Sequence, residues 1–379
     1  MASGNPFVFQ RPVDDLIDRE NELRRLLDLA AGAHFMRLSA PRRYGKTTLI
    51  RRLRIEAELQ LEMTTIIVDF SRVLSLGDVT VRLEDAYRRA TDGPIRKAVR
   101  TLTRSWNLGV SLGAGGIAAK LEAEPKTDPL PALHRLLELP REAYERTGHR
   151  VLVAFDEFHE VLRLDGLDGL IRSHVQHHGE AASYLFAGSE PGLMNQLFGE
   201  RERPLFGQAA PVDLGELPTD ALGAHIEQRF TETDRDPGEA LDALLELVQG
   251  HPQRAILMAH YLWEHTRPQH PATLTEWQVA LDEVTNSLAE GFERFLDVLP
   301  ALQVRVLFAL ALSPHGLNSN YTQARYGLPE GGAANDARDA LVRRGEVLSN
   351  PHRITDPLLR HWLRQRRRPP ESVDPRPID

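Results

Sequence analysis

The chain has 379 residues, of which 41% are hydrophobic and 26% charged, with a formal net charge of −8 and no cysteine. This is an ordinary soluble composition with room for two or three hydrophobic cores, and it excludes disulfides, thiolate zinc sites and a cysteine nucleophile. The acidic balance argues against nucleic-acid binding over the whole surface, and no stretch has the roughly 18 apolar residues of a membrane span. The first residues lack the pattern of a secretory signal, so we expect a cytoplasmic protein.

Five short apolar runs predict the strands of a parallel sheet. They are His34–Ala40, Thr64–Phe70, Val151–Phe158, Ser183–Glu190 and Ala210–Leu217. Because near-continuous apolar strands alternate with helical stretches, we expect an α/β fold with a three-layer parallel sheet. Residues 72–147 form an insertion in which Gly113–Gly116 indicate a β-hairpin or, equally, a flexible loop.

Helices dominate after Leu217. We predict a core at residues 1–217, a helical segment at 218–286, a third module at 287–368 that ends in a small hairpin, and a disordered Pro-rich tail at 369–379. From Pro300 to Arg368 there are 11 Arg against five Asp and Glu, a net charge of +6, so the rest of the chain carries −14. An acidic body with a basic C-terminal module is therefore expected.

The segment "SAPRRYGKTTLI", Ser39–Ile50, nearly matches a phosphate-binding loop, with Ala40 where the first glycine usually stands. The strand before it and the helix after it supply the context that such a loop requires. Only four lysines occur in this Arg-rich chain, and one of them, Lys46, stands in Gly-Lys-Thr, where it would contact the β- and γ-phosphates. The nucleotide would be bound by Pro41, Arg42, Arg43, Tyr44, Gly45, Lys46, Thr47 and Thr48. The plainer alternative is a solvated basic loop.

Asp156 and Glu157 follow the buried strand "VLVAF" directly. A phosphate loop needs an acid to hold Mg²⁺ and a group that orients the attacking water. We predict that Thr47 and Asp156 bind Mg²⁺ and that Glu157 acts as the general base, the alternative being an acidic pair that merely begins a loop. Ser189, at the end of the next strand, either senses the γ-phosphate or caps the following helix.

The order of these motifs resembles the archaeal-type P-loop ATPases of the AAA+/STAND group. The matching segments include "APRRYGKTTL", "VAFDEFHEV", "FAGSEPGLM", "GHPQRAILMAHYL" and "ITDPLLRHWLR", and together they extend from Asn5 to Arg364. The resemblance implies a core with an additional glutamate-bearing strand, a helical lid and a C-terminal winged helix.

The same resemblance implies roles for two arginines. Arg19, with Glu20, would start a helix beside the adenine, although a surface ion pair explains these residues equally well. Arg254 would sense the γ-phosphate; the alternative is that His251 or Arg254 simply caps and solvates the start of that helix. Where the family usually has an arginine that acts on a neighbouring subunit, this chain has Gln208, and its absence predicts slow turnover.

The basic C-terminal module suggests contact with double-stranded DNA through a helix-turn-helix and an arginine-rich end. The candidate residues are Arg338, Arg343, Arg344, Arg364, Arg366, Arg367 and Arg368. Docking of a protein partner is the alternative. The sequence thus predicts a slow, ATP- and Mg²⁺-dependent regulatory ATPase acting on DNA or a DNA-associated partner, or else a nucleotide-gated docking module with little turnover; oligomeric state stays open.

Overall fold

The computed structural model describes residues 4–9, 16–89 and 128–366. The predicted hairpin at Gly113–Gly116, the arginines at 367 and 368 and the predicted disordered tail lie outside the described residues. None of the helices in these three ranges is long and apolar enough to cross a bilayer.

A five-stranded parallel sheet forms the centre of the first 217 residues. Its strands are β1 (Phe35–Ser39), β2 (Thr64–Asp69), β3 (Val151–Asp156), β4 (Ala182–Gly188) and β5 (Ala210–Asp213), in the order β2-β3-β4-β1-β5. Four of them lie within the predicted runs, and β4 begins one residue before its predicted run, at Ala182. Since Ser39 pairs with Gly188 and Asp69 with Asp156, the carboxyl ends of the strands meet along one edge of the sheet.

Helices cover both faces of this sheet. They are α1 (Glu20–Ala31), α2 (Lys46–Gln60), α3 (Leu76–Arg89), α4 (Leu130–Thr147), α5 (Leu167–Val175) and α6 (Pro191–Gly199). Alternate residues of β3 face opposite sides: Val153 and Phe155 join the core beneath α3 to α6, whereas Leu152 and Ala154 join the core beneath α1 and α2. The predicted three-layer α/β fold is confirmed.

The lid comprises α7 (Thr219–Thr231), α8 (Ala240–Val248), α9 (Pro252–His265) and α10 (Leu274–Asp297). The C-terminal module comprises α11 (Ala301–Leu312), α12 (Asn320–Tyr326), α13 (Ala333–Arg343), β6 (Val347–Ser349), β7 (His352–Ile354) and α14 (Pro357–Arg366), in which β6 and β7 form an antiparallel hairpin.

One hydrophobic cluster runs through both the lid and the C-terminal module. The sequence suggested a new helix from about Ser287, but α10 runs unbroken from Leu274 to Asp297, so the predicted boundary at 286/287 falls inside a helix. Buried residues along its whole length, from Trp277 to Leu296, explain the continuity. The lid and the C-terminal module are therefore joined by a shared helix as well as by a shared core.

Candidate functional site

The loop between β1 and α2 has the backbone of a phosphate cradle. Gly45 caps the N-terminus of α2 with a φ of +86°, a conformation that side-chain-bearing residues rarely adopt. Ala40 is buried, donates its N–H to the Gly188 carbonyl and keeps a negative φ, so alanine is accommodated there without strain. The loop directs the N-terminal amides of α2, and the positive end of its dipole, into the cleft described below.

Lys46 is the centre of the site's charge network. Its Nζ lies 2.5 Å from Glu157 Oε1 and 3.0 Å from Asp156 Oδ1, and its side chain is 6% exposed. The lysine comes from the first turn of α2 and the acids from the end of β3, 111 residues away in the case of Glu157. The fold therefore brings together the three groups that the sequence assigned to phosphate, metal and water.

Ser189 lies against the other carboxylate oxygen of Glu157. Its backbone N–H and its hydroxyl donate to Glu157 Oε2 at 3.1 and 2.6 Å. The helix α6 has no side-chain cap at its N-terminus, so the structure does not give Ser189 the capping role. Glu157 itself has a φ of +53°, which turns its carboxylate away from the strand direction and towards the loop.

These contacts shift the pKa values of the acids in opposite directions. Burial raises the pKa of Asp156 despite Lys46 beside it. Burial also acts to raise the pKa of Glu157, but the charge and hydrogen bond of Lys46 outweigh it, so the pKa of Glu157 lies below its ordinary value. Burial lowers the pKa of His159, whose Nδ1 lies 3.4 Å from Glu157 Oε2, to about 4. At neutral pH, His159 is thus uncharged and Glu157 ionised, as a general base requires.

A cleft of about 520 Å³ opens above these residues, between the loop and the lid. Its polar end is lined by Glu157, Ser189 and every loop residue that the sequence predicted, Pro41 through Thr48, and Arg19 also lines the cleft. Its apolar end is formed by Val8, Phe9, Leu16, Ile17, Leu217 and Ile256. A cleft with a cationic end and an apolar end suits a nucleotide, whose phosphates and base differ in the same way.

The apolar end was largely missed from the sequence. Residues 4–9 run along α9: Asn5 Nδ2 donates to the His260 carbonyl, and the Phe7 carbonyl lies 2.8 Å from His260 Nδ1. Phe9 packs edge-on against the His260 ring at 4.9 Å. The only signal was the family-like segment that begins at Asn5, which does not reveal that Val8 and Phe9 reach the cleft.

The oxygen donors present at the loop fit Mg²⁺. Thr47 supplies a hydroxyl that lines the cleft, and Asp156 supplies a carboxylate that is 15% exposed. In the described ranges, no group of three or more His, Asp or Glu could hold a metal ion by itself. Two oxygen donors are enough for Mg²⁺, because that ion is usually held by one or two protein oxygens together with the substrate's phosphates.

Arg19 and Arg254 have more specific partners than the sequence indicated. Arg19 precedes α1 and donates to the Gly215 carbonyl and, at 2.9 Å, to Glu22. Arg254 is 2% exposed and forms a bidentate ion pair with Asp356 at the start of α14, with its Nε 3.0 Å from both carboxylate oxygens. Its neighbours Pro252 and Gln253 line the cleft, but Arg254 is not among the lining residues that the structure describes.

Several of the candidate DNA-binding arginines within the described residues are engaged in contacts with the chain itself. Arg338 is bound to Asp339 on its own helix, and Arg366 pairs with Glu293 and stacks on Trp362. Arg364 donates to the Ala311 carbonyl. Arg344 is exposed just beyond the end of α13. The backbone of Arg343 packs against Gly192 of α6, so the end of α13 faces the sheet domain at residues 1–217.

Comparison of the sequence with protein-family models and with curated proteins found no match. Solved structures do match. A Walker-type ATPase of Pyrococcus abyssi is 21% identical with a TM-score of 0.68, covering 94% of this chain and 99% of that one. The Aeropyrum pernix ORC2 protein, solved in ADPNP–ADP complexes, is 18% identical with a TM-score of 0.59, covering 95% and 96%.

The Aeropyrum pernix ORC1 protein, solved in complex with DNA, is 16% identical with a TM-score of 0.52, and the match covers 95% of each chain. At these identities the likeness concerns the fold. The predicted resemblance to archaeal-type AAA+ P-loop ATPases is thereby confirmed at the level of the fold.

Proposed function

We propose that this protein is an ATP- and Mg²⁺-dependent regulatory ATPase whose nucleotide site lies between the phosphate loop and the lid. The observation that carries the proposal is the contact of Lys46 with both Asp156 and Glu157 at the polar end of a nucleotide-sized cleft. ATP would place its terminal phosphates at Lys46 and the start of α2. Thr47 and Asp156 would hold Mg²⁺, which would neutralise charge developing on the phosphates.

Hydrolysis would depend on Glu157. When the phosphates of ATP bind Lys46, Glu157 loses its ion pair with that residue. Its carboxylate keeps the hydrogen bond from the Ser189 hydroxyl and can then accept a proton from water. Slow turnover is proposed because Gln208 is exposed in the loop after α6, where the family usually has an arginine. Arg203, in the same loop, does not clearly replace the missing arginine, because its Nη1 lies 3.6 Å from Asp168 Oδ2 in an ion pair.

The output would be the position of the lid and the C-terminal module. Residues 4–9 would move together with α9, because Asn5 and the Phe7 carbonyl both form hydrogen bonds with His260 of that helix. The shared core then carries such a movement into the C-terminal module. We propose domains as the sequence suggested, with a core at 1–217, a lid at 218–286 and a winged helix at 287–368, α10 spanning the second boundary.

Two kinds of partner remain as proposals, double-stranded DNA and a protein. The three-helix and hairpin order of the C-terminal module, and the DNA-bound ORC1 protein of the same fold, support DNA. The side chains of α13 favour the protein-docking alternative, because Asp336 and Asp339 lie on its outer side and Arg338 is occupied by Asp339. Carboxylates on the outer side of this helix would repel the DNA phosphates, so α13 would bind DNA weakly.

Steady-state ATP hydrolysis with Mg²⁺ tests the proposal, with and without duplex DNA. Glu157→Gln should reduce turnover at least 100-fold while ATP still binds, since general bases contribute about 10²–10⁴-fold. Lys46→Ala should weaken ATP binding itself. Glu157-dependent turnover stimulated by DNA supports a DNA-coupled ATPase, whereas tight ATP binding without turnover supports the docking module. Unchanged ATP binding by Lys46→Ala would refute the nucleotide site.

A further inference from the structure

The C-terminal module lies directly against the phosphate loop. If Gly345, which follows α13, carried a Cβ, that atom would lie 3.5 Å from the Ser189 carbonyl oxygen and 3.8 Å from Pro41 Cα. Arg353 of β7 binds Gln249 and Glu216 at the base of the lid. The module therefore lies close to the phosphate loop and to Ser189 at the end of β4, and it contacts the lid.

A single carboxylate, Asp356, links this module to two cations, Arg254 on the lid and Arg43 on the phosphate loop. It forms the bidentate pair with Arg254, and its Oδ2 lies 3.6 Å from Arg43 Nη1. Arg43 lines the nucleotide cleft and is held at a φ of +70°. A guanidinium–carboxylate pair uses the same geometry as a guanidinium–phosphate pair, so Asp356 occupies donors that are suited to a phosphate.

The charges around this carboxylate leave room for a second anion. Two guanidinium groups share Asp356, and burial lowers the pKa of the adjacent His251 to about 4, so this ring is neutral at physiological pH. Glu346 also attracts Arg43 electrostatically, and burial raises the pKa of Glu346. Arg254 of the lid and Arg43 of the loop together carry one more positive charge than Asp356 alone neutralises.

Asp356 has a second role that fixes its position. Its Oδ1 accepts the backbone N–H of Leu358 at 3.0 Å and of Leu359 at 3.3 Å, which caps α14. The carboxylate thus stays at the start of the helix when it loses a guanidinium partner. If Arg254 and Arg43 leave Asp356, the module is therefore released while α14 keeps its cap.

We propose that Asp356 is an internal competitor of the terminal phosphate of ATP: it holds Arg254 and Arg43, and ATP, unlike ADP, draws these cations away and loosens the C-terminal module. The proposal rests on the nucleotide site of the proposed function and names its regulatory contact. ADP lacks the phosphate that would compete, so it leaves the contact closed.

Binding measurements on the full chain test the competition. Asp356→Asn keeps the cap of α14, since asparagine caps as well as aspartate, but it removes the competing charge. It should strengthen binding of the non-hydrolysable analogue ADPNP by about tenfold or more relative to ADP. Arg353→Gln is the matched control: it removes a contact between module and lid but no competing anion, so it should raise the ADPNP-to-ADP affinity ratio less than Asp356→Asn does.

A distance measurement tests the release separately. The chain has no cysteine, so spin labels at Gln60→Cys and His315→Cys, both exposed positions, would report the core-to-module distance. ADPNP should lengthen or broaden this distance, and ADP should not. Gly192→Ala should open it without nucleotide, because a Cβ at Gly192 would lie 2.4 Å from Arg343 Cα.

The outcomes separate the two proposals. If wild type binds ADPNP in a Lys46-dependent manner but Asp356→Asn shifts ADPNP and ADP equally, the competition is wrong and the nucleotide site stands. Identical distances with ADPNP and ADP would also overturn it. If wild type and Lys46→Ala bind ADPNP equally, or if neither binds it, both proposals fail.

Discussion

Lys46 should stabilise the nucleotide-free protein as well as bind nucleotide. Its ammonium separates two carboxylates, Asp156 at 3.0 Å and Glu157 at 2.5 Å, and the three side chains are 6, 15 and 23% exposed. Lys46→Met keeps most of the side-chain volume but leaves two like charges together. Breaking a fully buried pair costs about 3–5 kcal/mol, and because both acids still reach water we expect a loss of about 2–3 kcal/mol.

Urea denaturation without nucleotide, followed by far-UV circular dichroism, measures this loss. The double variant Lys46→Met/Glu157→Gln should recover about half of it, because one of the two unpaired charges is gone. The loss should also shrink in acid. Lys46 holds the pKa of Glu157 below its ordinary value of 4.5, so the stabilisation is complete above that pH and fades as the pH falls further.

Two results would refute this reasoning. The first is an unfolding free energy of Lys46→Met within about 0.5 kcal/mol of wild type, which would mean that water already screens the three charges. The second is additivity: if the losses of Lys46→Met and Glu157→Gln add up to the loss of the double variant, the two residues do not interact.

Three further predictions concern other parts of the site. Gly45→Ala should weaken ATP binding roughly tenfold, because a side chain at a φ of +86° costs about 1–2 kcal/mol; unchanged affinity in a titration would contradict a rigid cradle. Phe9→Ala should weaken ATP and ADP binding equally, by a few-fold, since both carry the same base; calorimetry that finds an effect on ATP alone would move Phe9 away from the base. Unfolding stability should fall as pH drops from 6.5 to 4, because buried His251 is neutral when folded and protonated when unfolded, with a ceiling of about 3 kcal/mol; a His251→Asn variant that keeps the full slope would exclude this residue.

The sequence by itself determined the sheet and the polar end of the cleft. Gly45-Lys46-Thr47 and Asp156-Glu157 each follow an apolar strand, and in a parallel sheet the carboxyl ends of strands lie together. The local sequence pattern, together with this property of parallel sheets, was therefore enough to place the phosphate loop and the two acids in one site.

Only the tertiary structure decided how the C-terminal module relates to that site. Arg254 and Asp356 are 102 residues apart, and no periodicity or motif spacing links them. The unbroken helix α10 could not be read from the sequence either, since its boundary depended on which apolar residues the shared core would bury. Ion pairs and cores between distant segments form through packing in three dimensions, and local sequence carries no record of which surfaces meet.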